Sequence, residues 1–359
     1  MYMTRYLLAA AWLITTLGAS AETMWHDPLA ETPREGSNIH NQAWHEGNYH
    51  RLPARAEALV RRPLWLLSTN SAGLQLRFVT DSPDITVKYD ISGPTAMPHM
   101  PATGVSGVDL YRTADHAFCF GTYSIRPGKV EYSYHIDRPA DDGSAEYTLY
   151  LPLYNEVSGL QVGVSRGSSF SWIPVGDDKP IVVYGSSVAQ GACASRPGMA
   201  WTNILSRETG QPVINLGFSG NGKLESPLLD LISGIDAKAI VLDCLPNLFQ
   251  LPEAELTDLV EQAVRQLRAH SDTPILLVEH TGYSNALTNQ SRWDDYHRAD
   301  RAQRVAYDNL VAHGVTGLHY LSNEQIAMPS EVWVDYVHMT DMGQQHHARA
   351  IARAIAAIP

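Results

Sequence analysis

The chain has 359 residues, of which 44 % are hydrophobic and 18 % charged, so it can bury a core of ordinary size and is not a disordered protein. Acidic residues outnumber basic ones by 38 to 26 and the net charge is −12, which excludes a protein that binds nucleic acid through a basic surface. Its three cysteines are too few for a small fold held together by disulfides.

The first 21 residues have the pattern of a cleaved signal peptide. Arg5 precedes an apolar stretch over residues 7–17, and residues 19–21 form an A-x-A cleavage site. This stretch is shorter than the roughly 20 residues that span a bilayer, and no later segment is apolar enough to do so. A lipid anchor is not expected, because the cleavage point has no cysteine to carry it. We therefore expect cleavage after Ala21 and export to the periplasm or the medium.

Residues 22–175 have the pattern of a β domain. Residues 74–79 and 85–89 alternate apolar and polar side chains, and residues 147–153 and 160–164 are further strand candidates. Turn sequences separate these segments, at residues 81–84, 92–94 and 141–143. Short strands separated by turns, with few helical periods, are typical of a β-sandwich.

From residue 176 onward the pattern changes to alternating strands and helices. The strand candidates are short apolar runs, as expected for strands buried on both faces of a parallel sheet: residues 181–184, 213–216, 239–242 and 275–278. Helices are predicted over residues 199–209, 256–267, 294–313 and 341–358. This alternation predicts a doubly wound α/β domain over residues 176–359.

A serine on a glycine-flanked turn follows the first of these strands. Gly185-Ser186-Ser187 begins the turn and Gly191 ends it. In open α/β sheets the active site lies beyond the carboxyl ends of the strands, so Ser187 is a candidate nucleophile. The alternative is an ordinary turn between a strand and a helix, in which glycine and serine are common.

A second motif, Asp335-x-x-His338, precedes the predicted C-terminal helix. A serine needs a base to attack at neutral pH, and a histidine oriented by a carboxylate is such a base. Asp335 and His338 are therefore candidates for the other members of a catalytic triad. The alternative is a surface loop with an incidental histidine, since the chain contains 15 histidines.

Two further turns follow the second and third strands of the α/β domain. Residues 215–222 contain glycines at positions 217, 220 and 222, whose backbone N–H groups could point at an oxyanion. Asn247, after the third strand, could offer its side-chain amide to the same charge. Both segments could equally be plain turns, which glycine and asparagine favour.

In this order, the four motifs resemble those of the SGNH (GDSL-type) hydrolases. The resemblance assigns the Ser, Gly, Asn and His of the family's name, and its Asp, to Ser187, Gly220, Asn247, His338 and Asp335. One departure is Ser186, which stands where the family has the aspartate of G-D-S. That aspartate is not a triad member, so the assignment survives. Ser186 is the alternative nucleophile, and the register with the family favours Ser187.

The β domain carries a resemblance of its own. Residues 106–111 are similar to the G-x-D-L-Y signature of a β domain that precedes SGNH hydrolases in secreted bacterial proteins, and residues 191–198 and 243–247 resemble the same subgroup. The resemblance implies hydrolysis of a small-molecule or glycan ester by Ser187, with an oxyanion hole formed by Ser187, Gly220 and Asn247. An O-acetyl group on a carbohydrate is the expected substrate. The alternatives are a lipid or lysophospholipid acylhydrolase and a carbohydrate-binding protein with an inert hydrolase domain.

The sequence predicts no cofactor and no metal. H-E-x-x-H is absent, and His346 and His347 are expected to be solvated or half-buried on the last helix. The Pro-rich segment 94–101, which contains His99, either leans over the active site or forms a surface loop. Arg196 is expected to pair with a structural acid rather than with a substrate.

Export makes a disulfide possible. Cys193 and Cys244 both lie near the predicted carboxyl ends of strands, so we hypothesise that they are bridged and that Cys119 is free. The alternative is two buried thiols, because sequence does not determine whether the Cα atoms lie within the roughly 4.4–6.8 Å that a bridge requires.

Overall fold

The computed structural model describes residues 22–34, 36–138 and 143–359 of the chain. The predicted signal peptide, residues 1–21, and Asp141 and Asp142 of a predicted turn lie outside the described residues. Within the described ranges, no helix combines the length and the apolar character needed to cross a membrane.

The regular secondary structure in the first half of the described chain is mainly antiparallel strands. In chain order they are β1 (Thr23–His26), β2 (Ile39–His40), β3 (Gln75–Thr80), β4 (Asp84–Ile91), β5 (Asp109–Arg112), β6 (Ala117–Gly121), β7 (Lys129–His135), β8 (Ala145–Tyr150), β9 (Val157–Ser165) and β10 (Phe170–Trp172). One sheet has the order β1-β9-β4-β7. The other has the order β10-β3-β8-β5-β6, with β2 paired to β3.

The two sheets share one apolar core, so this part of the chain is the predicted β-sandwich. In β4, Ile85, Val87 and Tyr89 are buried while the residues between them are more exposed. This alternation arises because successive side chains of a strand point to opposite faces of its sheet. The buried side chains belong to the same cluster as Phe78 of β3 and Leu110 of β5, from the other sheet.

The second half contains a parallel sheet of five strands: β11 (Ile181–Gly185), β12 (Val213–Gly217), β13 (Ala239–Asp243), β14 (Ile275–Val278) and β15 (Leu318–Leu321). Their order is β12-β11-β13-β14-β15. Every residue of β11 to β14 is buried, which explains their continuous apolar runs. β15 is not predicted from the sequence, because His319 and Tyr320 of this edge strand are partly exposed and interrupt the apolar run.

Helices cover both faces of the parallel sheet. The described helices are α1 (Arg62–Ser68), α2 (Ala102–Val105), α3 (Ser187–Gln190), α4 (Trp201–Thr209), α5 (Ser226–Ser233), α6 (Glu253–Arg268), α7 (Gln290–Ala312), α8 (Asn323–Ile326) and α9 (Asp341–Ala356). One core joins the sheet to α5, α6 and α7, and another joins it to α4 and α9. This is the predicted doubly wound α/β arrangement. Leu64 and Trp65 of α1 also pack in the first of these cores.

Three neighbouring strands of the parallel sheet end at the same level. Gly185, the last residue of β11, pairs with Gly217 of β12 on one side and with Asp243 of β13 on the other. The loops that leave these strands therefore start side by side. They carry the serine, glycine and asparagine motifs.

A buried ion pair joins the G-x-D-L-Y segment to the α/β domain. The carboxylate of Asp109, 1 % exposed, accepts from Arg196 Nη1 at 2.9 Å and from the backbone N–H of Gly198 at 2.8 Å. Arg196 also donates to the Tyr111 hydroxyl, and its guanidinium carbon lies 3.8 Å from the centroid of the Phe118 ring. Arg196 therefore has the structural role that we expected.

Arg196→Ala is expected to lower the free energy of unfolding by about 3–5 kcal/mol, because it leaves the buried Asp109 carboxylate without its cation. Urea denaturation followed by circular dichroism measures this change. Arg349→Ala is the control, since its pair with Glu208 is exposed and should contribute less than about 1 kcal/mol. Equal losses in the two variants would contradict a special role for the pair of Arg196 and Asp109.

Candidate active site

Ser187 is the first residue of α3 and directly follows the turn after β11. Ser186 caps this helix, because its Oγ accepts from the backbone N–H of Val188 at 3.2 Å. The turn requires a glycine at position 185, where a Cβ would lie 2.7 Å from the carbonyl oxygen of Asp243. The hydroxyl of Ser186 is thus engaged in the helix cap, whereas that of Ser187 faces the loop that carries His338.

The loop between α8 and α9 brings Asp335 and His338 to Ser187. The distance from Ser187 Oγ to His338 Nε2 is 2.9 Å, and the distance from His338 Nδ1 to Asp335 Oδ2 is 2.7 Å. Asp335 Oδ1 accepts from the backbone N–H groups of Val337 and His338, each at 2.8 Å. The structure therefore brings together, in hydrogen-bonding order, the three side chains that the sequence analysis had selected.

The hydrogen bonds determine where the protons of this group reside. Burial alone would raise the pKa of Asp335, but the bonds from the His338 side chain and from two backbone N–H groups outweigh it and hold that pKa below its usual value. An ionised carboxylate can only accept, so Nδ1 of His338 carries the ring proton. Nε2 is then free to accept the proton of the Ser187 hydroxyl, as a base must.

Gly220 and Asn247 lie on the loops that follow β12 and β13. Gly220 has a φ of +69°, in the left-handed region that favours glycine. Asn247 Oδ1 accepts from the backbone N–H of Gly222 at 2.9 Å, which leaves Asn247 Nδ2 to donate elsewhere. Within the described part of the chain, neither Nδ2 nor the backbone N–H of Ser187 or Gly220 has an acceptor. These donors are available to a ligand.

Gly222 is a residue whose role the sequence analysis missed. It orients Asn247 through the hydrogen bond just described, and a Cβ at this position would lie 2.5 Å from the carbonyl carbon of Gly185. The loop after β12 therefore packs directly on the nucleophile turn. The available signal is the third glycine of segment 215–222, which the sequence offers as a backbone donor but not as the residue that orients Asn247.

The Pro-rich segment 94–101 reaches the same site from the β domain. The rings of His99 and His338 have centroids 5.4 Å apart, and the carbonyl oxygen of His99 accepts from Cys193 Sγ at 3.2 Å. Of the two interpretations of this segment, the loop that leans over the site is therefore correct. Four side chains each place one potential ligand atom within 4.8 Å of the others: His99, Cys193, Asp335 and His338.

The disulfide hypothesised between Cys193 and Cys244 is not formed, and all three cysteines are free thiols. Cys193 bonds to His99, whereas Cys244 Sγ bonds to the carbonyl oxygen of Tyr184 at 3.5 Å and packs in the core beneath α5 and α6. The two sulfurs therefore have different neighbours, although both residues follow adjacent strands. Burial, with a smaller contribution from Asp335, raises the pKa of Cys193 to about 12, so its thiol is protonated at neutral pH.

His347 is fully buried, which corrects the expectation of a solvated or half-buried residue. It lies where α9 packs on α4: its ring is edge-on to Trp201, with centroids 5.0 Å apart, and its Nε2 is 3.5 Å from Asp243 Oδ2. His347 is buried because α9 packs against the sheet at this position, although the side chain is polar. His346 is half-buried as expected and bonds to the carbonyl oxygen of Ile326 at 2.6 Å.

Two family profiles match the chain. Residues 178–356 match the GDSL-like Lipase/Acylhydrolase family, and residues 23–170 match GxDLY, the N-terminus of Esterase_SGNH_hydro-type. A comparison with curated proteins finds no match.

Solved structures match most of the chain. A GDSL-like lipase from Bacteroides ovatus ATCC 8483 is 32% identical with a TM-score of 0.85, and the match covers 94% of this chain and 98% of that one. The salicylyl-acyltransferase SsfX3 from a tetracycline biosynthetic pathway is 18% identical with a TM-score of 0.72, covering 89% and 94%. A family two carbohydrate esterase from Clostridium thermocellum, solved with cellohexaose, is 10% identical with a TM-score of 0.54, covering 79% and 92%. The last two share the fold. The chain therefore belongs to the GDSL-like lipase/acylhydrolase family of SGNH hydrolases and carries a GxDLY domain at its N-terminal side.

Proposed function

We propose that the protein is a serine esterase that cleaves an acyl ester through a covalent acyl-enzyme. The observation that carries this proposal is the chain of two hydrogen bonds from Ser187 Oγ through His338 to Asp335. As Ser187 Oγ attacks the acyl carbonyl carbon, its proton passes to His338 Nε2, and Asp335 stabilises the resulting imidazolium. His338 then gives the proton to the leaving alcohol. A water molecule deprotonated by His338 releases the acyl group as a carboxylic acid and restores Ser187.

The proposed oxyanion hole consists of the backbone N–H groups of Ser187 and Gly220 and the side-chain amide of Asn247. The carbonyl oxygen becomes negatively charged only when Ser187 adds to the carbonyl carbon, so donors fixed in advance stabilise the transition state more than the bound ester. Asn247 suits this role because its bond to Gly222 orients the side-chain amide. The backbone N–H groups of Ser187 and Gly220 suit it because they lack an acceptor among the described residues.

For the substrate we propose an O-acetyl ester on a carbohydrate. The fold shared with a carbohydrate esterase supports this class. A second support is a row of aromatic side chains on and after β6: Phe118, Phe120 and Tyr123 are 42, 47 and 69 % exposed, and successive ring centroids are 6.3 and 6.0 Å apart. Exposed apolar patches mark binding surfaces, and aromatic faces pack well on the C–H faces of sugar rings.

We further propose that the protein is exported. The signal-peptide pattern of residues 1–21 supports this, with a β domain over residues 22–175 and the hydrolase domain over residues 176–359. Sequencing the N-terminus of protein recovered from the periplasm or the medium tests the proposal. We expect a chain that begins at Glu22, and an intact Met1 would contradict export through cleavage.

A panel of esters tests the proposed substrate class. We expect release of acetate from acetylated xylo- or cello-oligosaccharides and turnover of p-nitrophenyl acetate, falling as the acyl chain lengthens. Faster turnover of long-chain esters or lysophospholipids would favour the lipid acylhydrolase instead. Binding to the oligosaccharides without turnover of any ester would favour a carbohydrate-binding protein with an inert hydrolase domain.

Asn247→Ala is expected to lower kcat by about 10²- to 10³-fold with little change in KM, because the lost donor acts on charge present only in the transition state. Steady-state kinetics on p-nitrophenyl acetate measures both constants. Asn247→Asp is the matched variant: it retains an acceptor for Gly222 but replaces the amide donor with an anion, so kcat should fall at least as far. An effect confined to KM, or full activity in Asn247→Asp, would contradict the assigned role.

A further inference from the structure

Two side chains that the proposed mechanism does not use lie against the catalytic residues. His99 comes from the β domain and is exposed, whereas Cys193 comes from the loop after α3 and is buried. Each of these two residues offers one potential ligand atom, and so do Asp335 and His338; the four atoms all lie within 4.8 Å of one another. We propose that these four side chains form a binding site for Zn²⁺, or for a divalent metal ion with the same ligand preferences, and that binding of the ion reversibly inhibits the enzyme.

The chemistry of the four ligands selects the class of ion. One thiolate, two imidazoles and one carboxylate are the ligand types that Zn²⁺ binds in tetrahedral sites, whereas Mg²⁺ and Ca²⁺ require oxygen ligands. Zinc–ligand distances of about 2.0–2.3 Å place tetrahedral ligands about 3.3–3.8 Å apart. The four atoms already lie within 4.8 Å of one another, so no pair has to close by more than about 1.5 Å to reach that range. The exposed ring of His99 gives an ion access from solvent.

Binding and catalysis compete for the same histidine. Nε2 of His338 bonds to Ser187, and Nδ1 bonds to Asp335. A metal ion bound to Nε2 breaks the hydrogen bond to Ser187, which then has no base. A metal ion bound to Nδ1 breaks the hydrogen bond between His338 and Asp335. Either mode of coordination therefore breaks the hydrogen-bond chain. Cys193 would release its thiol proton to solvent as it binds the ion.

The binding itself is tested without relying on activity. Metal-free protein is titrated with Co²⁺, whose bond to a thiolate produces a charge-transfer absorption band, and Zn²⁺ is then added to displace it. We expect the band to saturate at one equivalent in the wild type and in Cys119→Ser, and to be absent in Cys193→Ala. Ser187→Ala should still bind the ion, because Ser187 is not a ligand. The absence of a band in the wild type, or its persistence in Cys193→Ala, would overturn the site.

The inhibition rests on the proposed esterase activity and is measured separately. Each variant's activity is normalised to its own value in EDTA and titrated with Zn²⁺. Substitutions around a metal site lower affinity by about 10–100-fold even when they spare its ligands, so His99→Ala should raise the half-inhibitory Zn²⁺ concentration at least about tenfold. His99 is exposed, so this variant remains informative if Cys193→Ala does not fold. Equal inhibition of the wild type and His99→Ala, or inhibition that EDTA does not reverse, would overturn the proposal.

Discussion

Ser187→Ala is expected to lower kcat by at least about 10³-fold, and by up to about 10⁶-fold, without unfolding the protein. The alanine removes the atom that forms the covalent bond with the substrate, while the oxyanion donors and His338 stay in place, which accounts for the residual rate. The Ser187 side chain makes one described hydrogen bond, to His338 Nε2, so its loss should cost little stability. Burst kinetics with p-nitrophenyl acetate and labelling by a fluorophosphonate probe measure the loss of the nucleophile.

Ser186→Ala is the matched control for this substitution. Its hydroxyl caps α3 through Val188, so we expect a decrease of about 0.5–2 kcal/mol in the free energy of unfolding but continued labelling and turnover. The pair of variants also resolves which serine attacks. If Ser186→Ala lost the label and Ser187→Ala kept it, the nucleophile would be Ser186 and the proposed triad would be wrong.

Asp335→Asn is expected to lower kcat by about 10⁴-fold, although the change replaces one oxygen by an amide nitrogen. The carboxamide oxygen can still accept from the backbone N–H groups of Val337 and His338, so the loop should keep its conformation. The amide N–H₂ then faces His338 Nδ1 as a donor. It therefore favours the ring tautomer with the proton on Nε2, which cannot accept a proton from Ser187.

Glu331→Gln is the control for Asp335→Asn, because it neutralises an exposed acid in the same loop. This control should retain wild-type kcat, and both proteins should show the thermal unfolding midpoint of the wild type within a few degrees. A similar kcat for Asp335→Asn and Glu331→Gln would contradict an orienting role for Asp335. A large loss of stability in Asp335→Asn would instead indicate that the carboxylate acts through the loop conformation.

Local sequence patterns predict the fold class, and together with the family resemblance they select the candidate triad. Strands buried on both faces must be continuously apolar and half-buried strands must alternate, so the β-sandwich and the α/β domain could both be read from local patterns. Ser187 could be selected because catalytic groups in such sheets follow strand ends, and the Asp335-x-x-His338 motif because a serine nucleophile needs a histidine base oriented by a carboxylate. The edge strand β15 could not be predicted from the sequence, since its partly exposed residues leave no periodic signal.

Which side chains meet depends on how distant segments pack in the folded chain. His99 lies 239 positions before His338 in the numbering, yet their rings are neighbours, because the β domain folds its Pro-rich loop over the α/β domain. Cys193 and Cys244 follow adjacent strands, yet their sulfurs bond to different carbonyl groups. Sequence patterns report which face of an element is buried, whereas the direction and partner of one side chain depend on packing between distant segments. For that reason the disulfide was predicted wrongly, and the cluster of His99 and Cys193 beside the catalytic residues became visible only in the folded chain.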